Sequence, residues 1–106
     1  MVIRWIEDDG TQLWFVGDRL HRLDGPAEIC ADGSEAWYRD DKLHRLDEPA
    51  ATWSDGSQCW YRDGKPHRLD GPALIWADNG PGPREQWFIE GQEMTRDEFL
   101  KRVQTA

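Results

Sequence analysis

The chain has 106 residues, a length that fits one domain and leaves no room for a second core. Its 13 Lys and Arg against 21 Asp and Glu give a net charge of −8, which argues against binding to nucleic acid or to an anionic membrane surface. The N-terminus lacks the basic and apolar segments of a secretory signal, no apolar run is long enough to span a membrane, and two cysteines do not make a disulfide scaffold. We therefore expect a cytoplasmic protein.

A repeat of 23 residues dominates the chain. Trp14, Trp37 and Trp60 each begin an aromatic pair, and they are spaced 37 − 14 = 23 and 60 − 37 = 23 residues apart. Seven positions after each Trp stands nearly the same string: His-Arg-Leu-Asp-Gly-Pro-Ala at 21–27 and 67–73, and His-Arg-Leu-Asp-Glu-Pro-Ala at 44–50. A fourth pair begins at Trp87, after a longer loop. Such self-similarity is typical of stacked repeat folds.

Each repeat reads as a β-hairpin followed by a return loop. Asp55-Gly56 lies between short runs of β-forming residues and predicts a two-residue hairpin turn with Gly56 at positive φ. Asp63-Gly64 predicts a second turn, and the proline of the repeated string ends the strand because it has no N–H to donate. The predicted fold is therefore an all-β repeat of stacked antiparallel hairpins, forming one elongated twisted sheet over about residues 2–92.

The C-terminus departs from the repeat. Thr95 and Glu98 have the spacing of a capping box, and Phe99 and Val103 recur at helical spacing. They predict a short helix at about 96–104 that covers the last strand, whose open edge would otherwise recruit other chains. The whole of 1–106 is then a single repeat domain.

The faces of the sheet follow from the predicted turn. With two residues in the Asp-Gly turn, the expected register brings all seven tryptophans to one face and Phe15, Tyr38, Tyr61 and Phe88 to the other. Two interpretations remain open: the tryptophans form a thin core, or some of them form an exposed stripe that binds a partner. The candidate partner-binding aromatics are Trp37, Trp53, Trp60 and Trp76.

The histidines do not have the spacing of a metal site. Equivalent histidines lie two strands apart, at ~9–10 Å, whereas the ligands of one zinc ion all lie about 2 Å from it. We assign a structural role to His21, Asp24, His44, Asp47, His67 and Asp70, with the imidazoles bracing the return loops and the carboxylates bonding their own turn amides. Cys30 and Cys59 are expected on opposite faces. We find no catalytic motif and predict a non-enzyme with no cofactor and no metal.

Acidic residues concentrate in the predicted turns, which stacking arranges in rows along the sheet. The second copy is the richest in them, with Asp40, Asp41, Asp47 and Glu48 as candidate partner-binding carboxylates. Such rows either keep the protein soluble and its edges unpaired, or steer it onto a basic partner.

These motifs resemble known repeats. Trp60-Tyr-Arg-Asp-Gly-Lys-Pro-His67 resembles the core of MORN repeats, and His-Arg-x-Asp-Gly-Pro-Ala is similar to repeat proteins of phages and other large viruses. The resemblance covers about residues 9–100 and implies stacked hairpins. The second copy departs from it, with Asp41 and Glu48 where glycines are expected.

The expected function is that of a non-catalytic protein-binding module. One form of it is a phage-encoded acidic inhibitor of a host or defence protein, similar to an anti-CRISPR protein, which would present an acidic, Trp-bearing sheet to a partner with a basic surface in the host cytoplasm. The alternative is a structural scaffold of the MORN type that self-associates. Neither interpretation involves direct binding to nucleic acid or to a membrane.

Overall fold

The computed structural model describes residues 2–77 and 82–104, and within these ranges it has fourteen strands and one helix. The strands are β1 (Val2–Ile6), β2 (Gln12–Val16), β3 (Arg19–Leu20), β4 (Glu28–Ile29), β5 (Glu35–Ala36), β6 (Tyr38–Arg39), β7 (Lys42–Leu43), β8 (Ala51–Thr52), β9 (Gln58–Cys59), β10 (Tyr61–Arg62), β11 (Lys65–Pro66), β12 (Leu74–Ile75), β13 (Glu85–Ile89) and β14 (Gln92–Met94). Helix α1 spans Arg96–Gln104. No helix in these two ranges is long and apolar enough to cross a membrane.

The strands form the predicted stack of antiparallel hairpins. A ten-stranded sheet runs in the order β1-β2-β4-β5-β8-β9-β12-β13-β14, with β3 paired to β2, while β6–β7 and β10–β11 form small hairpins beside it. The molecule measures 45 × 31 × 17 Å, with a radius of gyration of 15.2 Å, against about 13 Å for a compact domain of this length. The all-β repeat fold is therefore confirmed.

Two kinds of turn alternate along the stack. Asp40-Asp41, Asp63-Gly64 and Glu90-Gly91 have both central residues at positive φ, as in a type I′ turn. At Asp55-Gly56 the loop has three residues instead, because the Trp53 N–H donates to the Ser57 carbonyl at 2.9 Å. Gly56 has φ +96°, as predicted, but the predicted two-residue length of this turn is wrong.

The extra turn residue shifts the register by one and corrects the assignment of faces. Ala51 pairs with Cys59 and Thr52 with Gln58, and a slip of one residue moves a side chain to the other face. The prediction that all tryptophans share a face is therefore wrong. Trp5, Trp53 and Trp76 lie with Phe15, Tyr38, Tyr61 and Phe88 on what we call the tyrosine face, and Trp14, Trp37, Trp60 and Trp87 lie on the opposite face, which we call the arginine face.

The core is a thin layer on the tyrosine face. Ala36, Ala51, Cys59 and Leu74 are cross-strand neighbours and are buried. The larger side chains that pack against this row are Tyr38, Leu43, Tyr61, Trp76 and Phe88. The core is therefore a row of mostly small side chains with partly buried larger side chains packed around it.

The C-terminal helix begins where the capping box predicts. The Glu98 N–H donates to Thr95 Oγ1 at 3.1 Å, and the Thr95 N–H donates to Glu98 Oε1 at 2.9 Å. Phe99 is buried, and α1 packs against β13, the strand next to the last one in the sheet.

Candidate functional site

On the arginine face, each of the three copies that contain the repeated string stacks one arginine on one tryptophan. The guanidinium carbon of Arg45 lies 4.0 Å from the ring centre of Trp37, and that of Arg68 lies 3.7 Å from Trp60. The first copy has the same cation–π contact between Arg22 and Trp14, at 4.1 Å. The candidate aromatics Trp37 and Trp60 are therefore half-buried beneath their own copies' arginines.

The stacked arginine also holds the return loop. Arg68 Nε donates to Asp70 Oδ1 at 2.8 Å and Nη1 donates to the Pro72 carbonyl at 3.1 Å. Arg22 makes the same bonds in the first copy, to Asp24 and Pro26. A Cβ on Gly71 would lie 2.8 Å from Arg68 Cζ, so a larger residue at this position requires the arginine side chain to shift.

These bonds correct the role predicted for the aspartates. Asp24 and Asp70 accept from an arginine instead of their own turn amides. The contact with the guanidinium of Arg68 holds the pKa of Asp70 below its ordinary value. Asp47 is different, since no bond joins it to an arginine in the described part of the chain.

The second copy forms a similar return loop with different residues. Glu48, in place of glycine, accepts from Arg45 Nη2 at 2.7 Å, and Asp47 adopts φ +68°. In the preceding turn Asp41 stands where glycine is expected, with φ +67°, and its Oδ1 accepts from the Leu20 N–H at 2.6 Å. The side chains of Asp41 and Glu48 therefore replace glycines by making bonds that glycine lacks.

Each histidine joins its copy to the next one. Nδ1 of His21 accepts from the Asp40 N–H at 3.1 Å, and Nδ1 of His44 accepts from the Asp63 N–H at 3.0 Å. His67 does the same with the Glu90 N–H, at 2.9 Å. The sequence predicts that the imidazoles brace the return loops, whereas these bonds run to the two-residue turn of the following copy.

A hydroxyl row, which the sequence interpretation missed, makes a second set of bonds between copies. Thr11 Oγ1 accepts from the Ala31 N–H, Ser34 Oγ from the Ser54 N–H and Ser57 Oγ from the Ala77 N–H, at 2.9–3.3 Å. All three hydroxyl residues are buried. Their signal in the sequence is a Thr or Ser directly after the Asp-Gly pairs at 9–10, 32–33 and 55–56, which precede the aromatic pairs.

The candidate carboxylates lie on the surface in two settings. Asp40 and Asp41 are in a two-residue turn, and Asp47 and Glu48 are in the return loop of the same copy. The three-residue turns at the other end of the strands form a second acidic row. There Asp9, Asp32 and Asp55 each accept the N–H two residues on, at 2.8 Å, and this hydrogen bond lowers the pKa of Asp9 and of Asp32.

Trp53 and Trp76 are close together on the tyrosine face. Their ring centres are 6.0 Å apart and tilted by 41°. Trp76 donates its Nε1–H to Gln86 Oε1 at 2.9 Å and packs on the core, whereas Trp53 is 42% exposed. The four candidate tryptophans therefore do not form one stripe, because the sheet separates this pair from Trp37 and Trp60.

The return loops of the second and third copies border an open groove of about 370 Å³, which Trp60 and Arg68 line. Leu46 and Leu69 stand on its sides, 62% and 56% exposed, and Leu23 of the first copy is 71% exposed. The three leucines occupy the same position of the repeated string. We call them the leucine row.

The cysteines show no sign of reactivity. Both are free, and the register places them on the tyrosine face, so the prediction of opposite faces is wrong. Burial raises the pKa of the Cys59 thiol to about 12. Burial also raises the pKa of Cys30, with the negative charges of Glu28 and Asp32 acting in the same direction.

Within residues 2–77 and 82–104, no cluster of three or more His, Cys, Asp or Glu side chains is arranged to hold a metal ion. The features that stand out are therefore surfaces: two acidic rows, the leucine row and the exposed Trp53. Comparison of the chain with family models, with curated proteins and with solved structures finds no match.

Proposed function

We propose that this protein is a non-catalytic binding module whose partner is a protein with a basic surface. The observation that carries the proposal is the exposure of large apolar side chains, repeated in register, beside rows of carboxylates. Exposed apolar groups on a rigid frame are typical of interfaces, and aligned carboxylates attract a basic partner and speed its association. An acidic inhibitor of a host or defence protein with a basic surface is the form of this function that we propose.

The thinness of the molecule supports binding over catalysis. Substrate pockets are concave and usually enclose most of a ligand, whereas this chain is a sheet 17 Å thick with open grooves on its surface. The three histidines accept hydrogen bonds that join neighbouring copies, and Arg22, Arg45 and Arg68 bond within their own return loops, so these groups serve the fold.

The test removes charge without removing hydrogen bonds. Asp40, Asp41 and Asp47 are changed to Asn and Glu48 to Gln, so that the net charge goes from −8 to −8 + 4 = −4. Asn tolerates positive φ and still accepts from the Leu20 N–H, so the fold should persist. We expect this variant to capture less of a partner from host lysate, and to associate with the purified partner several-fold more slowly at low salt.

The matched control carries the same charge change in the other acidic row, with Asp8, Asp9, Asp32 and Asp55 changed to Asn. If both variants slow association equally, net charge alone acts and the second-copy carboxylates are not the site. If the parent retains no protein in stoichiometric amount at any salt concentration, the binding function itself is wrong.

The scaffold alternative is favoured by strand β1. In the described chain β1 pairs only with β2, and its Val2, Ile3, Trp5 and Ile6 are exposed. An apolar edge strand is a template for pairing with another chain. Sedimentation equilibrium distinguishes the two functions, since a scaffold forms dimers or larger assemblies without any partner.

A further inference from the structure

The structure accounts for six of the seven residues in the repeated string. In the third copy His67 holds the next turn, Arg68 stacks on Trp60, and Asp70 accepts from that arginine. Gly71 makes room for the arginine, and the carbonyl of Pro72 accepts from it. The last residue, alanine, is fully buried in each copy, as Ala27, Ala50 and Ala73.

The leucine is the exception. Leu23, Leu46 and Leu69 are more than half exposed. Packing within the fold therefore does not explain why this position carries a large apolar side chain. Single exposed leucines are common on protein surfaces, but these three recur with the period of the repeat. Because neighbouring copies are two strands apart, the row has a spacing of ~9–10 Å.

That spacing matches one side of an α-helix. Seven residues of helix rise about 10.5 Å, so an apolar residue at every seventh position meets one leucine after another along the row. A β-strand fits badly, because residues on one of its faces recur about every 6.6 Å. The row covers two spacings, which corresponds to about 14 residues of helix.

The charges beside the row define the partner further. Asp24, Glu48 and Asp70 are exposed next to the leucines, whereas the arginines that they bind are mostly covered by the loops. A net charge of −8 on each chain opposes pairing of the row with a second copy. Both features favour a partner that carries Lys or Arg on either side of its apolar residues.

We propose that the leucine row binds a basic amphipathic helix of the partner, with the groove between Leu46 and Leu69 receiving one of its apolar side chains. This inference rests on the proposed function and names the element that the partner presents. Helix-in-groove binding of this kind uses apolar anchors on one helix face.

A designed peptide tests the proposal without knowledge of the partner. The probe is a labelled helical peptide of about 21 residues, with Leu at every seventh position, Lys on both sides of this stripe and Ala elsewhere. One control peptide has its central residue changed to Pro, which breaks the helix, and a second has Glu for every Lys. Fluorescence anisotropy gives the dissociation constants for the full chain.

The protein variant carries Leu23→Ser, Leu46→Ser and Leu69→Ser, which leave the charge unchanged. Its matched control is Leu100→Ser, which removes an exposed leucine of α1 that lies outside the row. We expect the triple variant to bind the probe about tenfold more weakly or worse, with both control peptides weak and the Leu100 control unchanged. Circular dichroism should show all these variants to be folded. The single variant Leu46→Lys provides a second test, because its added positive charge repels the lysines of the probe peptide and should weaken binding.

Three results would overturn the proposal: equal binding of the probe by the triple variant and the parent, equal binding of the proline peptide, or self-association of the parent that the triple variant loses. The last of these results would mean that the leucine row binds a second copy of this chain. None of them bears on whether lysate proteins bind elsewhere, so the proposed function is tested separately.

Discussion

Nδ1 of His44 lies 3.0 Å from the backbone nitrogen of Asp63 and accepts its hydrogen bond, so a ring of one copy holds the turn of the next. The same nitrogen lies 3.4 Å from Asp63 Oδ1. Because Nδ1 uses its lone pair as an acceptor, it carries no proton, and the contact with the carboxylate is not an ion pair in this state. This nitrogen is therefore the acceptor through which the two copies are joined.

The first prediction is that the protein loses stability between about pH 7.5 and about pH 5. Burial lowers the pKa of His67, the positive charge of Arg62 acts in the same direction, and Glu90 opposes them. A histidine with a lowered folded pKa stabilises the protein fully above its unfolded pKa of about 6.5, and this stabilisation is lost as the pH falls through the folded value. The free energy of unfolding in urea, measured across this range, gives the effect.

Three carboxyl groups that hold turns or loops do not contribute to this pH dependence. The pKa values of Asp9, Asp32 and Asp70 are lowered from 3.8, so these groups stay ionised down to pH 5. As a control, His67→Gln should cost about 1 kcal/mol at neutral pH and should reduce the pH dependence. An unchanged pH dependence in this variant would show that His67 is not responsible.

The second prediction compares two tryptophans on opposite faces. Trp60→Ala removes the ring beneath Arg68 and should cost about 3 kcal/mol of unfolding free energy, whereas Trp53→Ala removes a ring that is 42% exposed and should cost less than about half of that. Chemical denaturation measures both. Equal losses of unfolding free energy would contradict the finding that Trp60 packs beneath Arg68 while Trp53 is exposed.

The third prediction concerns the close approach of Gly71 and Arg68. Gly71→Ala should shift the guanidinium of Arg68 and weaken its bond to Asp70, at a cost of about 1 kcal/mol, because the added Cβ would lie 2.8 Å from Arg68 Cζ. In an Arg68→Ala background the same change should cost much less. This double-mutant cycle isolates the contact, and additive costs would mean that Gly71 is needed for another reason.

The sequence predicts the fold well, because a 23-residue period with turn residues at fixed places leaves few alternatives to stacked hairpins. It predicts the faces badly for a specific reason. Asp55-Gly56 is compatible with turns of two or of three residues, and the Trp53–Ser57 bond that selects three forms only in the folded hairpin. A turn that is one residue longer shifts the pairing of the two strands by one. Each side chain of the strand before the turn then lies on the opposite face, relative to the strand after it, from the one predicted.

The candidate site shows the same limit. The repeated string reveals which positions matter, but it does not distinguish an aspartate that holds an arginine, such as Asp70, from one with no such bond, such as Asp47. The repeated string does not reveal that its leucine is exposed, which only the structure shows.

The last prediction uses the two aspartates at positive φ in the second copy. Asp47 has φ +68° and no side-chain hydrogen bond in the described residues, so its backbone conformation costs energy that glycine would avoid. Asp47→Gly should raise the free energy of unfolding by about 0.5–1 kcal/mol, after the greater flexibility of glycine in the unfolded chain is deducted. Asp41→Gly is the matched control: it relieves a similar φ of +67° but removes the bond to the Leu20 N–H, so it should bring no gain. Thermal and urea unfolding measure both variants, and a loss of stability in Asp47→Gly would mean that the Asp47 carboxylate stabilises its loop after all.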